Sequence, residues 1–184
     1  MLNADELGEY FASRHKTDLF RLETRDVLNV PQDAGRLERY LNGEPGPGHR
    51  PWADVIRQQV ARGQITRRVL ALSEPLTDYR RCSIEWGYLD NVTAGERCRV
   101  VDRPSISGLG AQDFWLIDRR HVVLMHYDDE GSFVGADPVD DKQDVGHWAA
   151  IADLAWDSGT ELTAWWDEHR QYWREFHAST PRSE

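Results

Sequence analysis

The stretch Asp113-Phe-Trp-Leu-Ile-Asp-Arg-Arg-His-Val-Val-Leu-Met-His-Tyr-Asp-Asp-Glu-Gly-Ser-Phe-Val-Gly135 decides the fold of this chain. The apolar run Phe114 to Ile117 is followed by a polar turn and then by Val122 to Tyr127. A second polar turn leads into Ser132 to Gly135. Two reversals this close together predict three antiparallel strands joined as a meander.

Ahead of the meander the sequence predicts a strand-helix-strand unit. Ile65 to Leu72 is rich in β-branched and apolar residues, and Arg97 to Val101 forms a second such run. Between them, apolar residues from Tyr79 to Leu89 recur at helical spacing, with Thr77 placed to cap the helix. Such a unit implies two parallel strands joined by a right-handed crossover, and the meander would extend the sheet in antiparallel fashion.

Helices are predicted at both ends of this sheet. Asn3-Ala-Asp-Glu6 and Ser158-Gly-Thr-Glu161 both resemble capping boxes that begin helices. Two further helices are predicted to begin at prolines, one running from Pro31 to Leu41 and one from Pro51. The inward face of the second is predicted to consist of Trp52, Val55, Ile56 and Val60. Phe20 to Thr24 is predicted as a short extended piece. The expected fold is therefore α+β: a mixed sheet of about five strands packed with N- and C-terminal helices.

Length and composition favour one domain over residues 1–177 with a disordered tail over 178–184. With 184 residues, of which 40% are hydrophobic, the chain can bury a sizeable core. It contains no apolar run near the roughly 20 residues needed to span a bilayer and begins with no secretory signal. Its two cysteines are expected to be free thiols, which suits the cytoplasm.

The charge of the chain is unevenly distributed. The net charge is −10, yet nine arginines face six acids between Arg57 and Arg103. Between Asp128 and Glu168, twelve acids face a single lysine. The acidic half would be repelled by DNA, so direct nucleic-acid binding is not expected.

No reactive set is apparent in the sequence, and we expect neither catalytic residues, nor a metal, nor a cofactor. His121 and His126 are an odd number of positions apart, so a regular strand would place them on opposite faces. Adjacent Trp165 and Trp166 lie about 100° apart on a helix, so one of the two is expected to be half-buried and available to a partner. There is no Gly-x-Ser-x-Gly elbow, and Gly108-Leu-Gly110 is too short for a dinucleotide fingerprint.

Asp78-Tyr79-Arg80-Arg81 is the strongest functional candidate. It begins a helix just after the carboxyl end of a predicted parallel strand, where ligands bind in open α/β sheets and where helix amides face anions. A buried Tyr79 beside two solvated arginines is the structural alternative.

Four motifs together resemble a known family. Phe20-Arg-Leu-Glu23, Asp78-Tyr-Arg80, Ala94-Gly-Glu96 and Asp113-Phe-Trp115, followed by the meander, are similar in order and spacing to the actinobacterial domain of unknown function 6879 (DUF6879), over about Phe11 to Trp156. Members are small cytoplasmic proteins often found with helix-turn-helix regulators. The resemblance implies a regulatory or partner-binding role. Tyr79, Arg80, Asp113 and Trp115 fall at predicted strand ends and helix starts and, together with Arg21, are the expected ligand- or partner-binding residues.

The predicted layout is also similar to one half of the phospholipase D fold. That family depends on His-x-Lys-x-x-x-x-Asp, whereas His121 and His126 are followed two residues later by Val123 and Asp128. A shared fold would therefore lack the catalytic motif.

The sequence therefore predicts a non-catalytic domain that binds a protein partner, expected to be a helix-turn-helix regulator. Two alternatives stay open: a hydrolase of phosphorylated small molecules, with Arg80 or Arg81 holding phosphate and His126 as base, and a small-molecule sensor with a pocket over the sheet edge. Self-association also stays open.

Overall fold

The computed structural model describes residues 1–30, 34–106 and 108–175. The predicted α+β class is confirmed: helices pack on a mixed sheet whose strand order is β6-β5-β4-β1-β2-β3-β7. The strands are β1 (Asp18–Glu23), β2 (Ile65–Leu72), β3 (Arg97–Asp102), β4 (Phe114–Ile117), β5 (His121–Tyr127), β6 (Phe133–Val139) and β7 (Thr160–Glu161).

The helices lie before, between and after these strands. They are α1 (Ala4–Arg14), α2 (Arg36–Leu41), α3 (Pro51–Ala61), α4 (Asp78–Ser83), α5 (Leu89–Ala94), α6 (Lys142–Ser158) and α7 (Leu162–Glu168). A π-helical segment, Ile84–Tyr88, joins α4 to α5, and 3-10 turns occupy Arg103–Ser105 and Arg170–Tyr172. None of the helices in the described ranges has the length and apolarity that a bilayer crossing requires.

The strand-helix-strand unit and the meander both form as predicted. β1, β2 and β3 are parallel, and β4 pairs antiparallel with β1, so the meander extends the sheet. Asp118 and Arg119 at the first turn have positive φ values of 51° and 55°, as the two central residues of a type I′ turn require. The backbone conformation of this turn thus fixes the pairing register of β4 and β5.

Within the described residues the sheet has seven strands, so the expected number of about five was wrong. Asp18–Glu23, expected as a short extended piece, is a full strand at the centre of the sheet, between β2 and β4. Thr160–Glu161 pairs with β3 instead of opening a helix, and the Arg99 side chain bonds Glu161 at 2.9 Å. The capping box predicted at Ser158 is therefore also wrong: Ser158 ends α6, and α7 begins without a side-chain cap.

The two faces of the sheet have different cores. α6 covers one face and buries Ala149, Ala152 and Ala155 against Phe20, Val69 and Phe114. On the opposite face there are two separate apolar clusters. One lies where the π-helical segment and α7 pack on β2 and β3, and the other lies where α1 packs on the meander. The space between these two clusters is where the polar groups of the fold gather.

Capping is predicted well, whereas the predicted inward face of α3 is confirmed for Ile56, half-buried at Val55, and wrong for Trp52 and Val60. Asn3 and Thr77 cap α1 and α4 as expected. α3 begins at Pro51, yet it buries Ala53, Ile56 and Gln59 and leaves Trp52 and Val60 exposed. Gln59 can occupy the inward position because its amide oxygen accepts a hydrogen bond of 2.9 Å from the buried Thr66 hydroxyl. The predicted helix start at Pro31 and the predicted tail lie outside the described residues.

Candidate functional site

A buried cluster of charged side chains occupies the space between the two apolar clusters. Alternate residues of a strand point to the same face, so Arg21 and Glu23 of β1 share a face with Leu19, away from α6. Arg68 of the neighbouring β2 is beside them, because it pairs with Arg21 in the parallel register. Arg80 reaches the same point from α4.

Glu23 is the centre of this cluster. Its carboxylate accepts hydrogen bonds from Arg68, from Arg80 at 3.1 Å and from the Tyr88 hydroxyl at 2.6 Å. The Arg21 guanidinium lies 3.7 Å away. The Glu23 carboxylate thus accepts three hydrogen bonds and has three guanidinium groups around it.

Two further carboxylates complete the cluster, one on each side. Arg68 donates at 3.0 Å to Glu96, which also accepts from the Asn91 amide at 3.0 Å. Arg21 donates to Asp113 at 2.9 Å and to the Tyr127 hydroxyl at 2.8 Å. Asp113 in addition accepts from the backbone N–H of the residue that follows β1, at 2.7 Å.

The cluster is balanced in charge. Three arginines and three carboxylates, all buried, make up its ionic part: Arg21, Arg68, Arg80, Glu23, Glu96 and Asp113. Buried ions are tolerated when they are paired and hydrogen-bonded, and removing one partner leaves an uncompensated charge in a poorly polarisable interior. We refer to these six residues as the central charge cluster.

The electrostatics of the cluster keep its groups in one protonation state. Burial alone would raise the pKa of Glu23, but Arg68, Arg80, Arg21 and the Tyr88 hydroxyl outweigh it and hold that pKa well below its ordinary value. Burial and the charge of Glu23 hold the pKa of Tyr88 well above its ordinary value. Burial would lower the pKa of Arg68, but Glu96 and Glu23 outweigh it and raise that pKa. None of these three groups changes its charge near neutral pH.

Four of the five predicted binding residues come together here: Arg21, Arg80 and Asp113 are buried, and Trp115 is half-buried. Arg21 and Asp113 form one ion pair, and Arg80 joins them through Glu23. Trp115 lies beside them, with its ring 5.1 Å from the Arg21 guanidinium. Tyr79 lies apart and lines a separate surface groove near α2. The sequence did not point to Glu23 or Arg68 as site residues. Their burial follows from the pairing of strands that are far apart in the chain, which no local pattern shows.

The residues expected for the alternative hydrolase do not converge. Arg80 is fully buried, and Arg81 donates to Asp78 at 2.7 Å and to the Tyr172 carbonyl at 2.9 Å. His126 alternates with Val122 and Leu124, which pack on the α6 side, whereas Arg80 lies on the other face. His126 contacts Asp137 at 3.0 Å.

His121, by contrast, packs on Tyr10 of α1, so the two histidines lie on opposite faces of β5 as predicted. Within residues 1–30, 34–106 and 108–175, no group of three or more His, Cys, Asp or Glu side chains is placed to hold a metal ion.

The sequence matches a family profile described as domain of unknown function (DUF6879) over residues 5–167. The chain belongs to the DUF6879 family. No curated protein matches this DUF6879 domain.

Among solved structures, this DUF6879 domain is similar to Nuc, a phospholipase D family member from Salmonella typhimurium. The TM-score is 0.51 at 10% sequence identity, and the alignment covers 86% of this chain and 90% of Nuc. At that identity the likeness concerns the fold alone. The predicted similarity to a phospholipase D-like layout is therefore supported at the level of architecture.

Proposed function

We propose that this DUF6879 domain is a non-catalytic binding domain of bacterial transcriptional regulation. In this proposal it acts in the actinobacterial cytoplasm through a protein partner, a helix-turn-helix regulator. One observation carries the proposal: the strongest polar constellation in the described part of the fold, the central charge cluster, is buried and neutral, and each of its arginines is paired with a carboxylate of the cluster. Its charges support the sheet and are not directed at a cleft.

The pKa values of Glu23 and Tyr88 in and beside the cluster support a non-catalytic role. A general acid or base works best when its pKa lies near the operating pH. The pKa of Glu23 is held far below neutrality and that of Tyr88 far above it. Neither group can therefore exchange a proton with a substrate under cellular conditions.

A half-buried aromatic group offers a surface for the partner. Trp166 is buried, whereas Trp165 stays partly exposed, as the spacing of the pair predicted. The Trp165 ring stacks on His169 at 4.0 Å and runs nearly parallel to Tyr172 at 6.2 Å. Rigid, partly exposed aromatic rings of this kind are enriched at the centres of protein interfaces.

Co-expression with a helix-turn-helix protein encoded by a neighbouring gene tests the proposal. We expect the two chains to elute together in size-exclusion chromatography, and Trp165→Ala to weaken the complex by about tenfold. Leu154→Ala, at an exposed apolar position of α6, is the matched control and should bind normally. Arg80 is unsuitable for this test, because it is fully buried and its loss would perturb the fold.

Two results would contradict the proposal. The first is separate elution of the domain from every helix-turn-helix protein encoded beside it. The second is turnover of bis(4-nitrophenyl) phosphate by the purified wild-type domain that is lost in a His126→Ala variant.

A further inference from the structure

We infer that the groove between α2, α4 and the segment after β1 binds a small uncharged organic molecule that carries a hydrogen-bonding oxygen. This is the groove that Tyr79 lines, apart from the central charge cluster. Its volume of about 320 Å³ is at the lower end of the range for small-molecule sites.

The groove lies beyond the carboxyl ends of two neighbouring parallel strands. Residues 27–30, which follow β1, form one wall. Tyr79, Cys82 and Ser83 of α4, which follows β2, form a second wall, and α2 contributes Leu37 to a third. In open α/β sheets, ligands bind in the crevice outside the carboxyl ends of the parallel strands. The groove thus has the position that the sequence predicts for a ligand beside α4.

Ser83 gives this groove a polar group that lacks a partner. Ser83 is only 3% exposed, and its hydroxyl oxygen makes no hydrogen bond within the described part of the fold. A helical serine can donate to the backbone carbonyl four residues earlier, but Ser83 does not. An unpaired buried hydroxyl costs free energy, which a hydrogen bond with a bound molecule would recover. Because a hydroxyl can donate and accept, the matching ligand group is a carbonyl or a hydroxyl.

The helix departs from regular α geometry directly after Ser83. The π-helical segment Ile84–Tyr88 begins there, and the backbone N–H of Leu89 donates to the carbonyl of Ile84, five residues earlier. Turns of this kind are rare and frequently lie at functional sites. The local backbone therefore gives a second reason, separate from the unpaired hydroxyl, to place a binding site beside Ser83.

The remaining walls of the groove define the rest of the ligand. Most are apolar side chains: Val27, Leu28, Val30 and Leu37. The two charged residues that line the groove, Arg36 and Glu130, have opposite signs, and Arg36 has interactions of its own. The described lining residues thus carry no excess charge that would favour an ion. The ligand is therefore mainly apolar and uncharged, about the size of a benzene ring with a short substituent.

Four small probes test this site on the full chain, independently of any protein partner. Acetophenone, 1-phenylethanol, isopropylbenzene and benzoate have equal numbers of non-hydrogen atoms; isopropylbenzene lacks an oxygen, and benzoate is charged. Binding is followed by the chemical-shift changes of backbone amides during titration. We expect acetophenone, 1-phenylethanol or both to bind saturably, and the other two probes to bind at least about fivefold more weakly. The tighter of the two oxygenated probes identifies carbonyl or hydroxyl as the preferred group.

Ser83→Ala tests the role of the unpaired hydroxyl. Because this hydroxyl makes no bond within the described residues, the variant should be at least as stable as the wild type in urea without a probe. It should bind the tighter oxygenated probe about fivefold more weakly and bind isopropylbenzene unchanged. A serine with a purely structural role would instead lose stability when replaced and would leave the preference among the probes as it was.

A blocking variant locates the site. Ala34 lines the groove from an exposed position, so Ala34→Phe should occlude the groove and abolish saturable binding. Ala61→Phe makes the same change at the exposed end of α3, outside the groove, and should bind as the wild type does.

Four results would overturn the inference. The first is that neither oxygenated probe binds saturably to the folded wild type, as expected for a groove that holds only water. The second is that isopropylbenzene or benzoate binds as tightly as the better oxygenated probe. The third is that Ser83→Ala keeps the wild-type preference among the probes. The fourth is that Ala34→Phe and Ala61→Phe bind the probes equally.

Discussion

Replacing Glu23 with glutamine preserves the shape of the side chain and removes its charge, so it isolates the electrostatic role of the central charge cluster. The wild-type cluster has three positive and three negative groups, and the variant keeps a buried excess of one positive charge. Breaking a buried ion pair in this way costs about 3–5 kcal/mol. A domain is stable by about 5–15 kcal/mol in total. We therefore expect a loss of on the order of 10 °C in Tm for a chain of this size.

Urea denaturation at pH 7, followed by tryptophan fluorescence, measures this change in the free energy of unfolding. Glu161→Gln is the matched control: Glu161 pairs with Arg99 at 2.9 Å, but its side chain is more than half exposed. Such surface pairs contribute about 0–1 kcal/mol. The reasoning is refuted if Glu23→Gln is no more destabilising than Glu161→Gln.

The same pair of proteins gives a pH dependence with a definite sign. The pKa of Glu23 is lowered in the folded state, so its contribution is complete above the ordinary glutamate pKa of about 4.3. That contribution is lost as the pH falls from there towards the folded-state pKa. The difference in stability between wild type and Glu23→Gln should therefore shrink on acidification. A difference that stays constant from about pH 7 to pH 3 would show that the charge of Glu23 is not what stabilises the fold.

Three further changes are expected to have distinct effects on the free energy of unfolding, all measurable by urea denaturation. Trp166→Ala should cost about 3–5 kcal/mol because that ring is buried, and a smaller loss than for Trp165→Ala would contradict the packing. Burial would raise the pKa of Asp118, but three backbone N–H bonds to its carboxylate outweigh burial and lower that pKa. Asp118→Asn should therefore reduce the free energy of unfolding by about 1 kcal/mol at pH 7 and make the acid transition shallower. An unchanged acid transition would argue against those bonds. Gly95→Ala should lower the free energy of unfolding by more than about 1 kcal/mol, because φ at Gly95 is 112° and the new methyl group would lie 2.8 Å from the Val60 side chain. A variant as stable as the wild type would contradict this backbone geometry.

The parts of the fold that depend on residues close together in the sequence could be predicted. The turn at Asp118 and Arg119 and the caps at Asn3 and Thr77 are local devices, so the meander and two helix starts follow from the sequence. The parallel unit follows from the order of its strands and helix. These features fix the fold class without any knowledge of distant contacts.

The central charge cluster could not be predicted, because its members are far apart in the chain. Glu23, Arg68 and Glu96 belong to three different segments, and charged residues are exposed in most proteins. Only the pairing of β1 with β2 shows that their charges compensate one another. One part of the cluster was indicated by the sequence: Arg21 and Asp113 lie in the motifs that carry the family resemblance, and they are ion-paired at 2.9 Å.

The orientation of α3 shows that a polar residue can face inward where its side chain makes a hydrogen bond. The apolar pattern placed Trp52 and Val60 on the inward face with Ile56, yet Gln59 is buried there instead, and its amide oxygen accepts a hydrogen bond from the Thr66 hydroxyl. That bond depends on the packing of α3 against β2, which no local pattern encodes. Trp52 is left on the exposed side of the helix.

The pH titration of the Glu23 side-chain carboxyl, followed by carbon-13 NMR with the Glu23→Gln variant for assignment, tests most directly whether the central charge cluster stabilises the fold without taking part in chemistry. We predict a carboxylate that stays ionised from about pH 8 down to about pH 4, with no inflection in that range. An inflection between about pH 5 and pH 8 would reveal a group suited to general acid–base catalysis and would contradict the account.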